Sequence, residues 1–297
     1  MAAPCSAGFE ARLRNMKGKH ESQNPRPSTS RGTQRLYVRL NTLHYLLSQI
    51  HSLERTISMN PGVVPSNRLR FASIRKSSGS FFESVNLSIL VACQHVSEVA
   101  AYRLVFHDSA PVMYDGLYVG GVARGQMKAA LRVLKQNLTL MTTTLTDRAQ
   151  AVAVKEVMRA WHDAFLMVLL CGGSSRVFSR YDQERIREDF EKLQRVFRDG
   201  VEGLIAENVV DGEGSVVEGV IELMGQSSEQ LIEDLSLVSC TSSGIGLMGN
   251  GLKLPMPPTT GKWHRTDPNT ILRVLCHRNE RAANLFLKKT FQLPRRK

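Results

Sequence analysis

Few residue types in this chain are spaced in a way that could do chemistry, and each candidate fails on its surroundings. His44 and His51 stand seven apart, so a helix puts them on one face, as two ligands of one metal ion would be. No acid or cysteine completes a ligand set there, and the pair reads as core or boundary histidines of a helix. Cys93 and His95 have the types of a nucleophile and its base, but residues two apart on a helix project from different sides. Gly244-Ile-Gly246-Leu-Met-Gly249 fits the dinucleotide fingerprint GxGxxG. That fingerprint needs a strand before it and a helix after it, and Gly251, Pro255, Pro257 and Pro258 leave no room for the helix. Gly261-Lys262 lacks the hydroxyl residue and upstream glycine of a phosphate loop. Cys5, Cys93, Cys171, Cys240 and Cys276 are odd in number, widely spaced and without a CxxC, which reads as reduced thiols and not as a disulfide or zinc framework. No catalytic, cofactor or metal constellation results, no small-molecule substrate is expected, and the expectation is a non-enzymatic protein.

The elements that hold these residues are helical. Leu36, Leu40, Leu43, Leu47 and Ile50 step by four and three, and Leu53 and Ile57 are read as extending the stripe until Pro61-Gly62 ends it. Ser80-Phe-Phe-Glu83 has the form of a capping box opening a helix of about 27 residues through Val85, Ile89, Val96, Val99 and Phe106. Tyr114 and Tyr118 lie in the connection that follows and are expected to fold back over the bundle. The chain is organised around residues 126–173. Met127, Leu131, Leu134, Leu138, Met141 and Leu145 form one stripe, and Val154, Val157, Trp161, Ala164 and Val168 resume it out of phase. This is either one rod on the order of 65–70 Å or two helices split at Thr146-Asp147. Asp182 is placed as a cap before Ile186, Phe190, Leu193 and Phe197, whose opposite face mixes charges three and four apart. Shorter helices are expected over 216–224, after the box Ser227-Ser-Glu-Gln230, after Asp267-Pro268, and over 280–291. The sequons at Asn86 and Asn137 fall inside predicted helices and are treated as chance.

The resulting fold class is all-α, an elongated antiparallel helical bundle. Residues 1–33 are a disordered basic leader; they share the composition of an organelle transit peptide but lack its amphipathic stripe. Residues 34–238 form the bundle, 239–266 a Gly/Pro-rich loop, and 267–297 the C-terminal helices and basic tail. No apolar run approaches the 18 or so residues of a membrane span. The net charge of +12 is uneven: residues 1–76 carry +10, 177–240 carry −9 and 241–297 carry +9. An acidic block of that size, with no aromatic residues interleaved among the bases, excludes a uniform nucleic-acid binder. Lys288, Lys289, Arg295, Arg296 and Lys297 form a basic end that could meet anionic lipid.

Five blocks together resemble one family. They are RLNTLHYLLSQIHSLE (39–54), ACQHVSEVAAYRLVF (92–106), LKQNLTLM (134–141), EGVIELMGQSSEQLIEDLS (218–236) and LPMPPTTGKWHRTDPNTILRVLCHR (254–278). They resemble the C-terminal part of the plant MUN-domain proteins, relatives of the Munc-type vesicle-priming factors. The resemblance runs from about Arg35 to the end and places a second Munc homology region at roughly 85–195. It implies tethering-complex-like helical bundles without catalysis or cofactor. It also implies vesicle tethering, priming and exocytic delivery to the plasma membrane through contacts with membrane-fusion or tethering-complex proteins and an anionic membrane surface. The implied location is cytoplasmic, peripheral to the plasma membrane or to endosomal and secretory vesicles. Family members are several times longer, so a truncated paralogue lacking autonomous activity is the competing expectation. No functional residue of the family maps onto a motif here.

Overall fold

The apolar stripes become nine α-helices among the residues that the computed structural model describes, which are 29–59, 82–123, 125–200, 203–243 and 253–292. The molecule is an elongated, mostly helical bundle. The helices are α1 (Arg31–Met59), α2 (Glu83–Arg103), α3 (Gln126–Thr144), α4 (Asp147–Cys171), α5 (Gln183–Asp199), α6 (Glu207–Gly225), α7 (Ser228–Ser243), α8 (Pro268–Cys276) and α9 (Arg281–Thr290). The described residues include only two strands, each of two residues: Leu254–Pro255 pairs in parallel with Phe291–Gln292.

α1 and α2 form an antiparallel hairpin. At one end Asp108 accepts from the Ser30 amide at 2.9 Å and from the Thr33 hydroxyl at 2.7 Å; at the other Glu54 accepts from the Phe82 amide at 3.3 Å. Thr29 and Thr33 are fully buried, so the fold begins before the end of the expected leader, while residues 1–28 lie outside the described residues. α2 begins at Glu83 with Phe82 in the cap position and no side-chain cap; Ser80 of the expected box lies outside the described residues. The helix continues as one π-turn, Leu104–Asp108, closed by Ser109 N–H to Leu104 O at 2.9 Å, and this extra residue carries Asp108 under the N-terminus of α1.

The segment 126–173 is two helices and not one rod. Leu145 and Thr146 are extended, with ψ of 145° and 150°. Asn41 of α1 spans the break: its amide donates to Thr144 O at 2.9 Å, and the Thr146 N–H donates to its oxygen at 2.9 Å. α4 is the central helix. Its buried side chains include Val154, Val157, Trp161, Ala164 and Val168, and it packs against α1, α2, α3, α6 and α8. The α3 stripe is buried intramolecularly, Leu134 at 0% and Leu138 at 3% exposure. Asn137 is buried as well, accepting from Thr29 and donating to Ser109.

α5 and α6 make a second antiparallel pair, with Ile186, Phe190, Leu193 and Phe197 all buried. Asp182 occupies the N-cap position of α5 as expected but makes no side-chain cap bond to it; its carboxylate instead closes a capping box with Ser179 across the short 3₁₀ turn Arg180–Asp182. α6 begins nine positions before the expected Val216, at Glu207, and passes through Gly212, Gly214 and Gly219. The Asp267 carboxylate accepts from the Thr270 amide at 2.8 Å, as its cap-and-proline pattern predicts.

Two further expectations need correction. Leu53 and Ile57 do not extend the buried stripe; they are 50% and 41% exposed. The step of three from Ile50 to Leu53, following another step of three, rotates them by about 60° to the outside. Val85 and Val99 are also exposed, at 44% and 43%. Second, Glu83–Asp108 is long and apolar enough to cross a membrane by length and composition alone, although 39% of its most apolar window is buried inside the protein. Its Ser, Gln and His residues interrupt an apolar run without lowering the average enough to fail that test.

Candidate interaction surfaces

The histidines and cysteines do not converge. His44 is half-buried and His51 exposed on α1, and no group of three His, Cys, Asp or Glu able to hold a metal occurs among the described residues. Cys93 is buried while His95 is 74% exposed. Gly244–Gly249 lies outside the described residues, and Gly261 is a turn glycine with φ of 72°. A void lined by Leu169, Phe178, Met224, Val274, His277 and Arg278 measures about 10 Å³, room for one water. A shallow depression of about 350 Å³ is lined by His51, Glu54, Arg55 and Met59, all from one helix.

The buried polar groups serve the fold. Two arginines and a histidine satisfy carbonyls that helices leave unpaired at their C-termini, and a third arginine holds a loop. Arg278 donates to Met224 O at 2.8 Å and Gln226 O at 3.0 Å, closing the end of α6. Arg176 donates to Gly172 O and Leu117 O, each at 2.8 Å, and to Tyr114 O, tying the end of α4 to the connection over it. His277 lies between Arg176 O at 2.8 Å and Leu170 O at 3.1 Å. Arg273 donates to Pro257 O at 2.5 Å, holding the proline-rich segment against α8. Placing cations at helix C-termini also complements the helix dipole. Burial pushes Arg176, Arg278 and His277 below their ordinary values.

A polar seam crosses α2, α4 and α6. Arg159 bridges Glu156 at 2.9 Å and Glu213 at 2.5 Å, Gln94 donates to Glu156 at 3.0 Å, and Tyr102 donates to Asp163 at 3.3 Å. Hydrogen bonding to Arg159 holds Glu213 below the carboxylate range, whereas burial raises Asp163. His162 lies beside this seam against Phe190 and Phe197, its Nδ1 3.2 Å from Glu213 O, and burial pulls its pKa down to about 4. Tyr118 folds back as expected: its hydroxyl donates to Asp189 at 3.1 Å with φ at 59°, a costly conformation for a side-chain-bearing residue. Nothing in these groups converges on an open cavity.

What remains is surface. Part of the acidic block is paired within α5, through Arg185–Glu188 at 3.0 Å, Lys192–Asp189 at 3.1 Å and Arg195–Glu191 at 3.6 Å. Glu229 and Glu233 are exposed on α7. Of the basic end, Lys288 and Lys289 are exposed on the last turn of α9, and Arg295, Arg296 and Lys297 lie outside the described residues. The surface that the sequence reading missed is the outer side of α1. Arg31, Arg35, Val38, Arg39, Thr42, Tyr45, Leu46, Gln49, Leu53 and Ile57 all fall within about 120° of the helix circumference. Each is exposed, with Tyr45 at 61%, and the stripe contains no acid. The signal was present, since Arg31, Arg35 and Arg39 repeat every four residues, but the inward leucines of the same helix are the stronger pattern.

Fold and surfaces together define a class, a mostly helical bundle whose buried polar groups serve packing. The chain belongs to the family described as PATROL1-like, TPR repeats, which matches residues 2–297. It is 30% identical over 275 residues to an Arabidopsis thaliana protein named "Protein unc-13 homolog", a match covering 89% of this chain and 23% of that protein. The chain thus corresponds to about a quarter of that relative's length. No solved structure matches. The chain is a helical repeat region homologous to part of that unc-13 homolog.

Proposed function

We propose that this protein is a helical interaction module in vesicle tethering and priming, serving exocytic delivery of proteins to the plasma membrane. The observation that carries the reading is the family match across residues 2–297, coupled to a bundle whose buried polar groups are spent on helix ends and seams. On this reading residues 85–195, with α3 and α4 as spine, form a second Munc homology region. The buried α3 stripe makes that spine an internal support, leaving the outer helices and basic ends to meet partners. The partners are membrane-fusion or tethering-complex proteins, and the location is cytoplasmic, peripheral to the plasma membrane or to endosomal and secretory vesicles. The basic end at Lys288 and Lys289 is an additional candidate contact for anionic lipid, supported by the exposure of both residues.

The test is cargo delivery in plant cells depleted of this protein. Arrival of a labelled plasma-membrane protein should slow, with label held in intracellular vesicles and recovery on re-expression of the full chain. Delivery at the normal rate in depleted cells overturns the reading.

A further inference from the structure

We infer that the outer side of α1 is a membrane-docking face that lies along an anionic bilayer. The face is built in two halves. Arg31, Arg35 and Arg39 lie along its N-terminal half, and none pairs with an acid among the described residues. Tyr45, Leu46 and Leu53 follow on the same side of the helix, exposed at 61%, 45% and 50%. Beyond Leu40 none of the α1 side chains whose burial is described is fully buried, Asn41 and Leu43 being the last shown to touch the α3–α4 break or the core, and Leu87 and Val91 of α2 add exposed apolar surface near the same end.

Two arguments select a bilayer as the occupant. The first is charge and polarity together. A helix presenting guanidinium groups, a tyrosine and leucines without a carboxylate meets phosphate headgroups and the acyl boundary at once. The second is area. From Arg31 to Ile57 the face is about 40 Å long and about 10 Å wide, close to 400 Å². That is half of the roughly 800 Å² per partner that a specific protein complex buries, so neither a second copy nor another protein fits it well. A bilayer needs no shape complementarity and accumulates small contributions from each cation and each apolar side chain. The inference does not depend on the trafficking reading, since it concerns only what this surface adsorbs to.

Flotation of the full chain with phosphatidylcholine vesicles, with and without phosphatidylserine, tests it. The protein should float with the anionic vesicles alone, less so as salt rises. The double variant Arg35→Ala with Arg39→Ala should lose about 30-fold in partitioning, from about 1 kcal/mol per cation near the surface. Leu46→Asp with Leu53→Asp should also lose binding, whereas Lys288→Ala with Lys289→Ala should retain it. All six positions are exposed, and a thermal melt of each variant checks that it is folded. Amide exchange on the unaltered chain gives a measurement free of variants: residues 31–57 should slow when anionic vesicles are added. No flotation, or binding that survives the α1 changes and vanishes with the lysine pair, overturns the inference. So does a concentration-dependent dimer in light scattering that Leu46→Asp with Leu53→Asp abolishes while flotation is absent.

Discussion

The side chains with unusual environments in this protein are instruments of packing, and His162 shows how to test that. Its imidazole is buried against Phe190 and Phe197, its pKa pulled down to about 4 by loss of solvent. In the unfolded chain a histidine titrates near 6.5. Below that value the unfolded chain binds a proton that the folded chain refuses, so stability is full above about 6.5 and falls as the pH drops towards 4. Between pH 7 and pH 5 the loss from this residue is about 2 kcal/mol. Urea midpoints at the two pH values should show it, and His162→Gln should flatten that part of the difference. An unchanged pH dependence in the variant means the imidazole is not refused its proton. Histidine, cysteine and acid positions were visible in the sequence, but their environments were not. Nothing local to His277 signals that a carbonyl from α4 and one from the segment after it close around its ring. Contacts across more than a hundred positions leave no trace in spacing.

Elements were more legible than sites because burial imposes a period. The leucine and methionine positions of α3, the aliphatic and tryptophan positions of α4 and the phenylalanines of α5 face inward as their spacing requires. What the sequence left open or misread has physical causes. The break between α3 and α4 is set by Asn41, a residue far away in sequence that satisfies Thr144 O and the Thr146 amide. The first half of α6 looks like a loop, since each interior glycine costs about 1 kcal/mol of helix propensity. Gly214 is tolerated because Gln194 and Phe190 of α5 press against it where a Cβ would stand, and Gly219 does the same for Arg265. The outer face of α1 was obscured because one helix carries two patterns, an inward leucine stripe and an outward mixed one. A pair of truncations separates them. Leu134→Ala should cost 2–5 kcal/mol in urea unfolding, with residue 134 fully buried. Leu46→Ala on the exposed side of α1 should stay within about 0.5 kcal/mol of the parent. Equal costs would show that the two stripes are not the inside and outside of one bundle.

At the scale of the whole molecule, the charge blocks resolve into different uses. Part of the acidic block is paired within α5 and on the α4–α6 seam, and Glu229 and Glu233 stay exposed on α7. The basic excess stays on the outside, on α1, on the exposed side of α3 at Lys128, Arg132 and Lys135, and at Lys288 and Lys289. A bundle that keeps its unpaired bases outward and spends its buried polar groups, Arg176 and Arg278 among them, on its own helix ends is suited to be held against something else, which is the proposed role. Affinity capture measures that most directly, with the folded full chain as bait, plant membrane extract as source, and an unrelated helical bundle of equal charge as control. The account predicts enrichment of tethering-complex subunits or plasma-membrane fusion proteins over the control, persisting after detergent removes vesicle lipid. A folded bait that enriches none of them would contradict it.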